Sequence, residues 1–195
     1  VVVYNQLPSS NGASPSYVLG KSNFTGSSGN PNLTNPQGVY SDGRRLFVAN
    51  PTCGAVWIWN TIPTSTDQDP DVVLGNSDFT TCNSGDGAGT GPNSQDLDYP
   101  TSIFSDGQRL FVTELYNKRI LIWNEIPTTH YTPADVVLGQ SDFSDGATNN
   151  SNDCSDLNKQ FDAPQNIFSD GKRLFVAGDG AGCSGYGQRI MIWNS

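Results

Sequence analysis

Side chains that commonly take part in catalysis are sparse in this 195-residue chain. The single histidine, His130, is flanked by Thr129 and Tyr131, and no nucleophile or acid stands near it in the pattern of a catalytic triad. A histidine without such partners is more often a solvated loop residue than a general base. We therefore predict no catalytic residue and no enzyme activity.

Two loops rich in Gly, Asn and Asp, at 84–98 and 145–156, contain the oxygen ligands that Ca²⁺ prefers. Neither loop matches an EF-hand or a nonapeptide calcium repeat, and tight turns use the same residue types. Gly85, Gly87 and Gly89 do not open a helix, which disfavours a phosphate-binding loop. We expect no cofactor and no metal site, with Ca²⁺ as the alternative.

Three Asn-x-Ser/Thr patterns match the N-glycosylation motif, at Asn23, Asn32 and Asn149. Such patterns also arise by chance in loops rich in Asn, Ser and Thr. They do not by themselves establish a secreted protein.

The charge balance excludes several classes of partner. The chain has 10 Lys and Arg against 19 Asp and Glu, a formal net charge of −9. Binding of nucleic acid or of an anionic membrane surface needs a basic face, so we predict no nucleic-acid partner. No apolar run approaches the ~20 residues of a membrane-spanning helix, so we predict no membrane insertion.

The elements that must position any site come from an internal repeat. SDGRRLFV begins at Ser41, SDGQRLFV at Ser105 and SDGKRLFV at Ser169, so the copies are 64 residues apart (105 − 41 and 169 − 105). Ile-Trp-Asn and Val-Leu-Gly recur around them, and a proline opens each copy, at Pro36, Pro100 and Pro164. A regular period of this kind is typical of repeat architectures.

Each copy contains four short apolar runs separated by turn residues, which predicts four strands, A to D. In the first copy these are 38–40, 45–49, 56–59 and 71–74. Asp-Gly between A and B indicates a hairpin. Strand C is apolar on both faces, with Trp57 and Trp59 on one and Val56 and Ile58 on the other, so its sheet must be covered on both sides.

These features predict an all-β, β-propeller-type array of four-stranded antiparallel blades, with about three repeats and no closure within this chain. The predicted organisation is a partial blade of strands C and D with a long loop at 1–35, blades at 36–75 and 100–139, a blade without its last strand at 164–195, and inter-blade loops at 76–99 and 140–163. The incomplete copies at both ends lead us to expect a segment of a longer protein, with a self-assembling unit as the alternative.

The four cysteines fall in polar loops of this array, at Cys53, Cys82, Cys154 and Cys183. The separations are equal, since 82 − 53 and 183 − 154 are both 29. Loops B–C and D–A leave a blade at the same end, so Cys53–Cys82 and Cys154–Cys183 are reasonable disulfides, although three connectivities stay open. No Cys-x-x-Cys pattern or histidine partner favours zinc. Disulfides predict an extracellular protein, secreted or at the cell surface.

The copies resemble a known family. Pro-x-Gly-Val-x-x-Asp-Gly followed by Leu-Phe-Val-Ala, and the stretch 117–123 (NKRILIW), resemble the NHL-repeat propeller consensus. The stretch 137–143 (VLGQSDF) is similar to a long-repeat variant of secreted microbial proteins. The first copy departs from the consensus, with Gly54 and Ala55 where Lys118 and Arg119 stand in the second. The resemblance implies a fold rather than a function.

We predict a non-catalytic extracellular module, a segment of an NHL-like propeller that associates through its blade ends in a filament, a surface layer, a matrix or a larger propeller. Its partners would be copies of itself or further propeller blades. The alternative is a recognition propeller that binds a glycan, a peptide or a protein through its variable loops. A metal-dependent propeller lyase or lactonase ranks last, because strand A offers only Gly38, Ser102 and Asn166 as its first residues.

Overall fold

The repeat forms a row of antiparallel β-sheets in a computed structural model, which describes residues 1–26, 33–83, 91–144, 163–179 and 189–194. These residues contain thirteen strands and one short 3-10 turn, Pro51–Cys53. The strands are β1 (Val2–Val3), β2 (Tyr17–Val18), β3 (Val39–Ser41), β4 (Leu46–Asn50), β5 (Ala55–Trp59), β6 (Val72–Leu74), β7 (Pro100–Ser105), β8 (Leu110–Glu114), β9 (Arg119–Trp123), β10 (Val136–Leu138), β11 (Ala163–Ser169), β12 (Arg173–Asp179) and β13 (Arg189–Asn194).

The sheets follow the order of the chain. Strands β3–β6 form blade 1, β7–β10 form blade 2 and β11–β13 form blade 3, each by pairing consecutive strands. Strands β1 and β2 form a separate two-stranded N-terminal pair. All pairings are antiparallel, and in both four-stranded blades the first strand is an edge. These first strands are called inner strands below, because β3 lies beside β7 and β7 beside β11.

The repeated phrase builds the hairpin between the first two strands of each blade. In blade 1, Gly43 has φ +87°, a left-handed conformation that glycine adopts without steric cost. Oδ1 of Asp42 accepts hydrogen bonds from the backbone N–H groups of Arg44 (2.9 Å) and Arg45 (2.6 Å). Asp106 and Asp170 accept the same two bonds in the later copies. The phrase is therefore a structural turn.

The cores lie between the blades, as two apolar faces on each third strand require. Trp57 and Trp59 of β5 pack towards the N-terminal pair, in a cluster that includes Leu19. Val56 and Ile58 of the same strand pack towards blade 2. A third cluster joins blade 2 to Ile167 and Val176 of blade 3, among others. Burial of large apolar side chains on both faces of the middle blades is the main stabilising contribution that we identify.

The predicted fold class is confirmed: the described residues are nearly all β, in four-stranded antiparallel sheets that do not close into a ring. The predicted division of the chain into blades and loops stays a prediction. One face of blade 3 is open, with Phe168, Ile190 and Ile192 each more than half exposed. No helix among the described residues is long and apolar enough to span a membrane.

Candidate functional site

His130 makes structural contacts in the structure. It lies on the exposed loop between β9 and β10, and its Nδ1 accepts a hydrogen bond from the backbone N–H of Val73 at 3.2 Å. Its ring packs edge-on against Phe79, 5.0 Å away. Through these two contacts, the His130 ring joins blade 2 to blade 1.

The other predicted sites fall partly outside the described residues. Cys53 and Cys82 form a disulfide, so this predicted pairing is confirmed. Cys154 and Cys183 lie outside the described residues, as do Asn32, Asn149 and the loop at 145–156. The side chain of Asn23 is exposed and accepts a hydrogen bond from the backbone N–H of Thr25 at 2.9 Å. Its glycosylation stays a prediction.

Metal binding has no geometric support in the part of the chain that the structure describes. There, no group of three or more His, Cys, Asp or Glu side chains is placed to hold an ion. Of the first acidic loop, residues 91–98 are described, and the others are not. Calcium binding at these loops stays a prediction.

The arginine that begins the second strand of each blade pairs with the aspartate of its own turn. The ion pairs are Arg45–Asp42 at 3.0 Å, Arg109–Asp106 at 2.8 Å and Arg173–Asp170 at 2.7 Å. Hydrogen bonds from the backbone N–H of Lys172 and from the Arg173 side chain lower the pKa of Asp170 to about 2. These ion pairs stabilise the turns, and they engage the arginine side chains there.

A cleft of about 350 Å³ opens where the inner strands of the three blades meet. We call it the axial cleft. The residues that line it are Gln37, Tyr99, Thr101, Leu115, Gln165 and Asn166. Three of them, Gln37, Thr101 and Gln165, stand at the same position of the repeat, directly after the opening proline of each copy.

A β-bulge turns these positions out of the regular pairing. The pairing of β7 with β8 shifts between Pro100 and Ser102, and that of β11 with β12 shifts between Pro164 and Asn166. Thr101 and Gln165 are therefore the extra residues of two bulges. In blade 1, the N–H of Gln37 and the carbonyl of Gly38 both bond to the backbone of Ala49, again two residues opposite one. Bulges commonly re-aim side chains beside functional sites.

Close approach of the strands forms the floor of the cleft. A Cβ at Gly38 would lie 2.6 Å from the carbonyl oxygen of Thr101, so only glycine fits there. The Thr101 hydroxyl lies 2.9 Å from that of Thr113 and 3.3 Å from the carbonyl oxygen of Pro164. Thr101 thus links blade 2 to blade 3 below the cleft.

Tyr99 forms the aromatic wall. Its φ of +57° lies in the left-handed region, which is uncommon for a residue other than glycine and marks a position held by its surroundings. Its hydroxyl accepts a hydrogen bond from Nε2 of Gln37 in the neighbouring blade at 3.2 Å. Its ring packs against that of Tyr116, with centroids 4.7 Å apart, and Tyr116 is 53% exposed.

A buried ion pair holds the segment that carries Tyr99. Glu114 and Arg119 are both fully buried, and Nε of Arg119 donates a hydrogen bond to Oε2 of Glu114. Oε1 of Glu114 accepts from the backbone N–H of Asp98 at 2.6 Å, next to Tyr99. Burial raises the pKa of Glu114, and the Arg119 guanidinium opposes that shift.

The axial cleft has uncharged walls. Its lining consists of three amide side chains, a hydroxyl, a phenol and a leucine, without a charged group. Within the described residues, the side chains of Gln165 and Asn166 make no hydrogen bond, and both are exposed. A smaller cavity of about 200 Å³ between blades 2 and 3 has three cations, but Arg109 and Arg173 are paired with aspartates. We therefore take the axial cleft as the candidate site.

Sequence reasoning did not find this site. It considered Gly38, Ser102 and Asn166 only as metal ligands, and it passed over the preceding position. The signal that could have found it is the variation from Gln to Thr to Gln directly after a repeated proline. The bulge that exposes this position is a register shift between two paired strands, which the sequence pattern does not report.

The fold and the cleft define a β-propeller-type protein with an axial site. No protein-family model matches the chain, and no curated protein matches it. Among solved structures, it is similar to the PQQ-bound form of aldose sugar dehydrogenase from Streptomyces coelicolor, with 15% identity and a TM-score of 0.40. The alignment covers 81% of this chain and 42% of that protein, so the chain spans less than half of its length.

This comparison corrects the functional prediction. A non-catalytic module that associates through its blade ends is contradicted, because the matched protein is an enzyme. The prediction that the chain is not an enzyme stays a prediction. At this level of similarity neither the activity, the sugar nor the cofactor transfers to this chain.

Proposed function

We propose that the described blades bind a small uncharged polar molecule in the axial cleft. The observation that carries this proposal is the convergence of bulged inner-strand positions, Gln37, Thr101 and Gln165, on one cavity. Its volume of about 350 Å³ lies at the lower end of the range for ligand sites, roughly 300–1,000 Å³. This differs from recognition through the long variable loops, because every lining residue lies in an inner strand or within two residues of a strand end.

The electrostatics support an uncharged ligand. A charged group that enters the cleft would lose hydrating water without gaining a counter-charge, because the side chains that line the cleft are uncharged at neutral pH. Gln165 and Asn166 offer both donors and acceptors, which match hydroxyl or amide groups. The net charge of −9 further disfavours anionic ligands.

The experiment is a ligand-observed NMR screen of small neutral molecules against the wild type and Gln165→Ala. Gln165 is exposed, so its truncation should leave the fold intact. We expect hits whose signal falls in Gln165→Ala and persists in Gln108→Ala, a matched change at an exposed glutamine of the blade 2 turn. A screen in which every hit is indifferent to Gln165 would contradict the proposal.

We infer an NHL-repeat propeller in an oxidising, extracellular location, supported by the repeat motifs and by the Cys53–Cys82 disulfide. Mass spectrometry of the protein isolated from its native source, with thiols alkylated at lysis, would show that disulfide intact. Alkylated Cys53 and Cys82 in that material would contradict an oxidising compartment.

A further inference from the structure

We infer that the ligand class of the axial cleft is a pyranose sugar, an inference that rests on the proposed function. Three properties of the lining support it: the absence of charge, the pairing of amides with an aromatic wall, and the small volume. Each of these properties narrows the class of ligand.

The polar side of the cleft matches vicinal hydroxyl groups. A planar amide has a donor and an acceptor side by side, so it can bond two neighbouring hydroxyls at once. Gln165 and Asn166 are consecutive residues, and their exposed side chains form no hydrogen bond with any described residue. A flat ligand without hydroxyls would leave these amides unpaired on binding, which disfavours it.

The opposite side of the cleft matches a C–H face. Tyr99 and Leu115 form an apolar wall, and Tyr116, outside the lining, packs on the Tyr99 ring with the two ring planes at 41°. A pyranose ring has a rigid face of C–H groups that packs on an aromatic ring, with hydroxyls around its edge. An acyclic polyol lacks that rigid face and would lose more conformational entropy on binding.

Tyr116 supports the Tyr99 ring from outside the lining, so it can be changed without removing a residue of the wall. Tyr116 is 53% exposed, whereas Tyr99 accepts a hydrogen bond from Gln37 and has a constrained backbone. Tyr116→Leu removes the aromatic ring, and Tyr116→Phe retains it. Tyr4→Leu is the control, since Tyr4 is an exposed tyrosine of the N-terminal segment.

The test measures binding of methyl glucoside, methyl galactoside and methyl mannoside by saturation-transfer NMR titration, with sorbitol and adenosine as neutral non-pyranose probes. We expect at least one pyranoside to bind. Tyr116→Leu should weaken it about tenfold, as loss of a stacked ring predicts, with little change in Tyr116→Phe and Tyr4→Leu.

The outcomes separate this inference from the proposed function. Binding of sorbitol or adenosine that depends on Gln165, without any pyranoside bound, would overturn the sugar inference and leave small-molecule binding in place. The absence of Gln165-dependent binding for every probe, here and in the wider screen, would overturn both. Pyranoside binding that is unchanged in Tyr116→Leu would overturn the aromatic contact.

Discussion

Glu114 and Arg119 form a fully buried ion pair that connects two inter-blade loops. Beyond its bond to Glu114, Arg119 donates from Nη2 to the backbone carbonyl of Asn93 (2.9 Å) and from Nη1 to that of Phe143 (2.7 Å). It thereby fixes the loop before β7 and the loop after β10 to the same hairpin. The pair lies directly behind the segment that positions Tyr99.

In blade 1, a covalent bond instead of an ion pair joins the hairpin to an inter-blade loop. One period earlier, Asn50 and Ala55 stand where blade 2 has Glu114 and Arg119. There the hairpin is joined to the following loop by the Cys53–Cys82 disulfide. A covalent bond in one copy and a buried ion pair in the next therefore have equivalent structural roles.

Glu114→Gln should reduce the free energy of unfolding by about 3 kcal/mol, because it leaves the Arg119 guanidinium buried without a counter-charge. Urea denaturation at neutral pH measures this. The double variant with Arg119→Met should be less destabilised than the sum of the two single changes. Additive effects would show that the two side chains act independently.

The disulfide should stabilise blade 1 by restricting the unfolded chain. It closes a separation of 29 residues, for which the loop-entropy relation gives about 3.6 kcal/mol. Cys53→Ala combined with Cys82→Ala should lower the urea midpoint accordingly. Because the variant is compared without reductant, Cys154 and Cys183 are unaffected by the treatment. An unchanged midpoint would mean that noncovalent contacts alone hold the loop.

Much of the fold was predictable from the sequence because it depends on local patterns. The 64-residue period, the Asp-Gly turns and the two apolar faces of the third strands predict antiparallel blades stacked on one another. The strands of blade 1 begin and end within one residue of their predicted limits. These features need no knowledge of which blades are neighbours.

The candidate site was not predictable in the same way. The bulges at Thr101 and Gln165 are irregularities in the pairing of two strands, and Tyr99 has a left-handed backbone although it is not glycine, so no local pattern encodes these features. Glu114 and Arg119 replace an uncharged pair of the previous copy, so the repeat itself gave no sign of an ion pair.

Acid should weaken the third turn over a defined range of pH. Hydrogen bonds and the Arg173 pair lower the pKa of Asp170 from 3.8 to about 2. A lowered folded-state pKa contributes stability above the unfolded value, and this is lost as pH falls from about 4 to about 2. Asp170→Asn keeps the turn acceptor but cannot titrate, so its melting temperature should fall less across this range. Parallel curves for both proteins would contradict the assignment.

In blades 1 and 2, the loop between the third and fourth strands is hydrogen-bonded to the preceding sheet, and His130 makes one of these bonds in blade 2. The carbonyl oxygen of Val73 accepts a hydrogen bond from the N–H of Tyr131 at 2.9 Å, and the N–H of Val73 donates one to Nδ1 of His130. One period earlier, Asp67 and Thr66 make the equivalent bonds to Val18, at 2.9 and 3.5 Å. A side-chain acceptor at this position is therefore a repeated feature.

His130→Ala should cost about 1 kcal/mol of unfolding free energy, since the Val73 N–H loses its acceptor. His130→Thr places the residue of the first copy there and should recover part of the loss, because a hydroxyl can accept the same bond. Urea denaturation of the two variants beside the wild type measures both changes. If threonine costs as much as alanine, packing of the imidazole on Phe79 is the stabilising contact instead of the hydrogen bond.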